Sequence, residues 1–110
     1  MVKILVEQVK VNPDKPDDDG ETPLHWAARS GHEEVVKIIL ERDEVNPEKP
    51  DNDGRTPLYA AAYNGHGEVV KILLERDEVN PDEPDKDGQT PLHRAAGNGH
   101  YNFMSTIGAV

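Results

Sequence analysis

Apolar and polar positions follow two alternating rhythms along this chain, and the pair recurs every 34 residues. From Pro57 onward the apolar positions Leu58, Ala61 and Ala62 mark one short segment. Thr56 before it is suited to N-capping, and Pro57 at the first helical position supplies a favourable φ where no N–H is needed. A short first helix is therefore predicted, with small alanines that let a neighbour approach closely. Asn64-Gly65 closes it, because glycine accepts the left-handed conformation that stops a helix and turns the chain. A second helix of about three turns is predicted from near Glu68, with Val69, Val70, Ile72, Leu73 and Leu74 apolar and Lys71 left to solvent. So broad an apolar face needs neighbours on more than one side. Between helix pairs runs a polar loop from Val45 to Gly54, containing Pro47, Pro50 and Asp53-Gly54. Two prolines exclude a helix interior and Asp-Gly marks a tight turn, so the loop reads as an extended finger projecting from the stack.

Three copies of the unit are headed by Thr22-Pro23-Leu24, Thr56-Pro57-Leu58 and Thr90-Pro91-Leu92, with Gly20, Gly54, Gly88 and His32, His66, His100 in the same register. Residues 22–55 and 56–89 agree at 24 of 34 positions, so the two segments are one structural unit used twice. One such unit cannot bury both of its helices, and folding must come from contacts between neighbouring repeats. Residues 1–13 align with a second helix, Val2 to Glu7 lying over Val36 to Glu41, so the sequence is expected to start halfway through a repeat. The expected division is a partial repeat over 1–21, full repeats over 22–55 and 56–89, and a divergent repeat over 90–110. In the last, Phe103, Met104 and Ile107 remain available to cover the stack, while Gly108 stands where leucine is expected and weakens a helix.

Charge narrows the partners. The net charge is −10, which repels phosphate backbones and anionic lipid and makes a basic protein patch the natural complement. The length fits one domain. The absence of cysteine excludes disulfides and thiol catalysis and favours an intracellular, cytoplasmic setting. The apolar run after Met1 is too short for a secretory core or a membrane span.

These residues closely resemble the ankyrin repeat, whose pattern includes D-x-x-G-x-T-P-L-H-x-A-A-x-x-G-H followed by V-V-x-x-L-L. The matching stretches are Asp51 to Gly54, Thr56 to Tyr59, Ala61-Ala62, Gly65-His66, Val69-Val70 and Leu73-Leu74, with Thr22 to His25, Ala27-Ala28, Thr90 to His93 and Ala95-Ala96 in the flanking copies. The resemblance implies an all-α repeat protein, a solenoid of stacked helix-turn-helix units with projecting hairpin-like loops. Two departures stand out. The family's glycine after the second helix is replaced, in Arg42-Asp43-Glu44-Val45-Asn46 and Arg76-Asp77-Glu78-Val79-Asn80. The finger is also longer, with Pro-x-x-Pro spacing, which stretches the period to 34 and implies altered exits from the second helix.

The resemblance further implies a non-catalytic protein–protein interaction module whose concave face, built from finger tips and first helices, meets a partner. Carried over by motif position, that face includes Arg29, Ser30, Arg55, Tyr63, Asn64, Gln89 and Asn98, with Asp18, Asn52 and Lys86 on the fingers. Most of these are positions where the two full repeats differ while their scaffold agrees. Trp26 is also a candidate, since Trp, Tyr and Arg dominate binding hot spots. Its slot is usually leucine, so a half-buried packing role with one exposed edge is expected. An alternative of another class is a structural segment whose open ends stack on further copies through Val2, Ile4, Leu5, Phe103 and Ile107, or a piece or engineered version of a longer array. Neither end reads as a polar cap, and an exposed apolar patch drives association.

No metal, cofactor or catalytic centre is implied. Equivalent histidines in stacked repeats lie roughly 8–10 Å apart, too far for one zinc ion to bridge. The resemblance assigns them to hydrogen bonds within loops and between repeats. The acidic run Glu83 to Gly88 imitates a calcium loop, but Arg94 stands where the closing glutamate belongs. Ser30 and Ser105 lack a nucleophile setting, and the carboxylates sit on solvated fingers where nothing raises their pKa for acid–base work.

Overall fold

The computed structural model describes residues 14–99. Five α-helices follow one another: α1 (Pro23–Ser30), α2 (Glu33–Leu40), α3 (Pro57–Tyr63), α4 (Gly67–Leu74) and α5 (Pro91–Gly97). They form two rows. The first helices α1, α3 and α5 pack in series, α2 packs on α4 behind them, and α1 and α3 each fold back on their own second helix. This is the predicted all-α solenoid. The expected helices before residue 14 and after residue 99, including the residues proposed for end-stacking, lie outside the described residues.

Local chemistry accounts for each helix start. Thr22, Thr56 and Thr90 are N-caps in extended conformation whose hydroxyls accept the N–H three residues on, and proline follows each. At Thr22 and Thr90 the bond is reciprocal, because the histidine ring returns to the threonine N–H. Gly31 then ends α1 at φ 73°, and a Cβ there would stand 2.6 Å from the His66 ring, so this glycine is required both by conformation and by space.

The second helices are shorter than the three turns predicted: α2 and α4 each span 8 residues, about two turns. Their exits explain the missing glycine. Glu41 and Glu75 stay right-handed at the helix ends. The carbonyl of Leu40 is capped by the next repeat, through a 2.7 Å bond donated by the Arg76 guanidinium. That arginine also pairs with Glu78 at 3.2 Å, as Arg42 pairs with Glu44 at 3.0 Å. A side-chain cap from the neighbouring repeat thus replaces a local left-handed turn.

The core is one continuous cluster running through the stack, with Leu24, Ala28, Val36, Leu58, Ala61, Ala62, Val70, Leu73 and Ala95 all fully buried. Alanines line the junctions of the first row and branched aliphatics those of the second. The fingers zip together by backbone bonds, from Asn52 N–H to the Asp19 carbonyl at 3.0 Å and from Lys86 N–H to the Asp53 carbonyl at 2.8 Å.

Candidate functional site

Each finger is closed by an aspartate that accepts backbone hydrogen bonds. Asp17, Asp51 and Asp85 each accept two backbone N–H bonds at 2.9 Å, from the second and fourth residues after them. Those bonds, the Glu21 N–H above all, hold the Asp17 carboxyl below its ordinary range against the opposing effect of burial. At Asp85 burial pushes upward, but the N–H of Gln89, the Tyr59 hydroxyl, the N–H of Asp87 and the charge of Arg94 outweigh it and the carboxyl ends up lowered. Among the described residues no group of three or more His, Asp or Glu side chains is arranged to hold a metal ion.

The histidines divide by role. His25 is fully buried. Its Nδ1 accepts the Thr22 N–H at 3.0 Å, so the ring proton sits on Nε2, which donates to the Arg55 carbonyl at 2.9 Å. Burial lowers its pKa, only partly offset by that carbonyl and by Asp51 and Glu21. His66 Nε2 lies 3.0 Å from the Arg29 carbonyl, tying the second repeat back to the first. His25 thus holds the finger end of its own repeat and His66 holds the neighbouring repeat, as the resemblance implies.

Between α1 and α3 opens a pocket of about 230 Å³, lined by Glu21, Arg29, Asp51, Arg55, Tyr59, Ala60, Tyr63 and Asn64. It gathers Arg29, Arg55, Tyr63 and Asn64 from the sequence-predicted face. Arg29 is ion-paired with the buried Glu21. The Arg55 guanidinium lies over the Tyr59 ring, 5.3 Å from its centroid, and the Tyr59 and Tyr63 rings stack at 6.3 Å. Sequence reasoning missed Glu21, Asp51, Tyr59 and Ala60. The signal for Tyr59 was present: it replaces the histidine of the other two copies.

The other candidates lie elsewhere. Asp18, Asn52 and Lys86 are exposed on the fingers, and the Asn52 amide donates to the Asp18 carbonyl at 3.0 Å, so its donor serves the stack. Asn64 and Asn98 likewise commit their amide donors, to the carbonyls of Ala60 and Tyr63. Gln89 closes the third finger through its backbone. Trp26 and Ser30 are separated from the pocket and line an apolar groove of about 240 Å³ with Pro23, Ala27, His32, Val35 and Ile39. Trp26, expected to be half-buried with one exposed edge, is 53% exposed, whereas the equivalent Ala60 is 8% exposed. Ala60 has α1 beside it, but among the described residues no first helix flanks the corresponding side of α1. Trp26 instead stacks with Arg29 at 4.8 Å and donates from Nε1 to Asp17 at 3.4 Å.

The family model for ankyrin repeats (3 copies) matches residues 1–51 and 43–107. The chain belongs to the ankyrin repeat family. No curated protein matches it. Ankyrin repeats are in general protein–protein interaction modules and are not in general catalytic. No helix among the described residues of this ankyrin chain is long and apolar enough to cross a membrane.

Proposed function

We propose that this ankyrin array is a non-catalytic recognition module that binds a protein partner on the face made by its first helices and fingers. The observation that carries the reading is the distribution of large exposed apolar side chains. Trp26 and Tyr63, at 53% and 41% exposure, lie on consecutive first helices, and each is paired with a neighbouring aromatic or arginine. Aromatics and arginines held rigidly in this way make contact area at low entropic cost. The net charge of −10 supports a protein partner with a basic patch and not nucleic acid or a membrane, and the lack of cysteine supports an intracellular setting. The division into a partial repeat, two full repeats and a divergent repeat is retained as part of this reading.

The test is a partner recovered by pull-down and titrated calorimetrically. Changing both Arg29 and Tyr63 to Ala weakens binding by more than ~1 kcal/mol while the helical spectrum is unchanged. Unaltered affinity refutes the face. A second reading, association of copies through the ends of the stack, is supported by the apolar groove beside Trp26. It predicts a mass that rises with concentration in light scattering.

A further inference from the structure

Resting on that reading, we infer that the pocket between α1 and α3 recognises an acidic side chain of the partner, an Asp or Glu that pairs with Arg55. The chain has five arginines, all within the described residues. Four face a carboxylate: Arg29 with Glu21, Arg42 with Glu44, Arg76 with Glu78 and Arg94 with Asp85. Arg55 has no carboxylate among the described residues, in a chain with 22 acidic residues. Its Nε is buried and lacks any acceptor.

The surroundings favour a carboxylate over other ligands. The two acids of the pocket are already engaged, Glu21 by Arg29 and Asp51 by the N–H groups of Asp53 and Arg55 at 2.9 Å each. Neither forms an ion pair with Arg55. The guanidinium lies over the Tyr59 ring, 5.3 Å from its centroid, which restricts its movement. A planar fork held in place matches a carboxylate in two parallel charge-assisted bonds, which lysine or a neutral donor cannot make. The pocket's volume of about 230 Å³ is room for one side chain. The acidic field of the whole chain still favours a basic partner at long range, so the recognised surface is one carboxylate set within a basic patch.

The experiment uses the full chain and a random peptide library displayed through its C-termini, so that no free terminal carboxylate is offered. Selected peptides are expected to share an Asp or Glu. Arg55→Gln then weakens them about thirty-fold or more, the loss typical of removing one partner of a buried charge pair. Arg55→Lys, which keeps the charge without the fork, falls between, and Lys37→Gln on the second-helix row changes nothing. Replacing the peptide's acid by its amide gives the same loss as Arg55→Gln, and the two losses do not add. The fold is checked by circular dichroism; the Arg55 side chain donates no bond within the described residues, so the spectrum is expected to hold. Peptides weakened by Tyr63→Ala but indifferent to Arg55→Gln and Arg55→Lys overturn the acid-recognition inference and leave the face intact. An empty selection, or peptides indifferent to Tyr63→Ala, overturns the face itself and this inference with it.

Discussion

The two junctions of the first-helix row occupy the same slots and solve the same problem differently. Between α1 and α3, the buried His25 reaches a backbone carbonyl, that of Arg55, at 2.9 Å. Between α3 and α5, Tyr59 fills the histidine slot at 2% exposure, and its buried hydroxyl makes no regular hydrogen bond. It faces Asp85 instead, whose side chain is 1% exposed and stands 3.8 Å from Arg94. Thr56 still accepts the Tyr59 N–H at 3.2 Å, but the phenol returns nothing to the Thr56 N–H, so the reciprocal cap of the first and third repeats is missing. A bridge to backbone is indifferent to the side chain it passes. A bridge to side chains commits them. The first junction therefore leaves the Arg55 side chain available at an open pocket, while the second absorbs Asp85 and Arg94 into the stack.

The largest test removes the backbone bridge. His25→Ala deletes a fully buried ring, leaves the Thr22 N–H without a partner and leaves the Arg55 carbonyl only the Asp51 N–H, an expected loss of about 3 kcal/mol in urea denaturation. A loss below ~1 kcal/mol would deny the first junction the role given to it. Next, Tyr59→His writes the first solution into the second junction. Restoring a reciprocal cap and a backbone bridge is expected to stabilise the chain by roughly 1 kcal/mol, while binding at the pocket weakens because its aromatic wall is gone. Destabilisation would show that Tyr59 and Asp85 form the better bridge.

The smallest effect is titration. His25 has its pKa lowered from 6.5, first by burial, so the folded chain holds fewer protons than the unfolded one just below that value. Its stabilisation is complete above pH 6.5 and is lost as pH falls toward the folded pKa. Stability of the wild type is therefore expected to drop between pH 7 and pH 5 by less than about 1.4 kcal/mol per unit. His25→Gln should show a flatter profile over the same range, and parallel profiles would remove His25 from the account.

The repeating unit was legible without coordinates because its signals are local. Thr56-Pro57 starts a helix, Asn64-Gly65 stops one, and Asp51 to Gly54 turns the finger, each within a few residues of sequence. The candidate face was legible only in part. Arg29, Arg55, Tyr63 and Asn64 do meet, but Trp26 and Ser30 turn to a different groove, and the asparagine amides are taken by backbone carbonyls. The second helices stop at two turns, at Leu40 and Leu74, without the glycine that would mark the stop in the sequence.

Sequence by itself determined the family, the helix caps and the 34-residue register, since identical local chemistry recurs in every copy. Only the tertiary structure decided which residues share a pocket and which arginine makes no ion pair among the described residues. Glu21 ends the partial repeat, Arg29 and Arg55 come from the two ends of the repeat 22–55, and Tyr59 and Tyr63 come from the repeat 56–89; folding brings them together. The contacts that join the copies, such as the Arg76 guanidinium with the Leu40 carbonyl 36 residues away, span a distance over which local pattern carries no information.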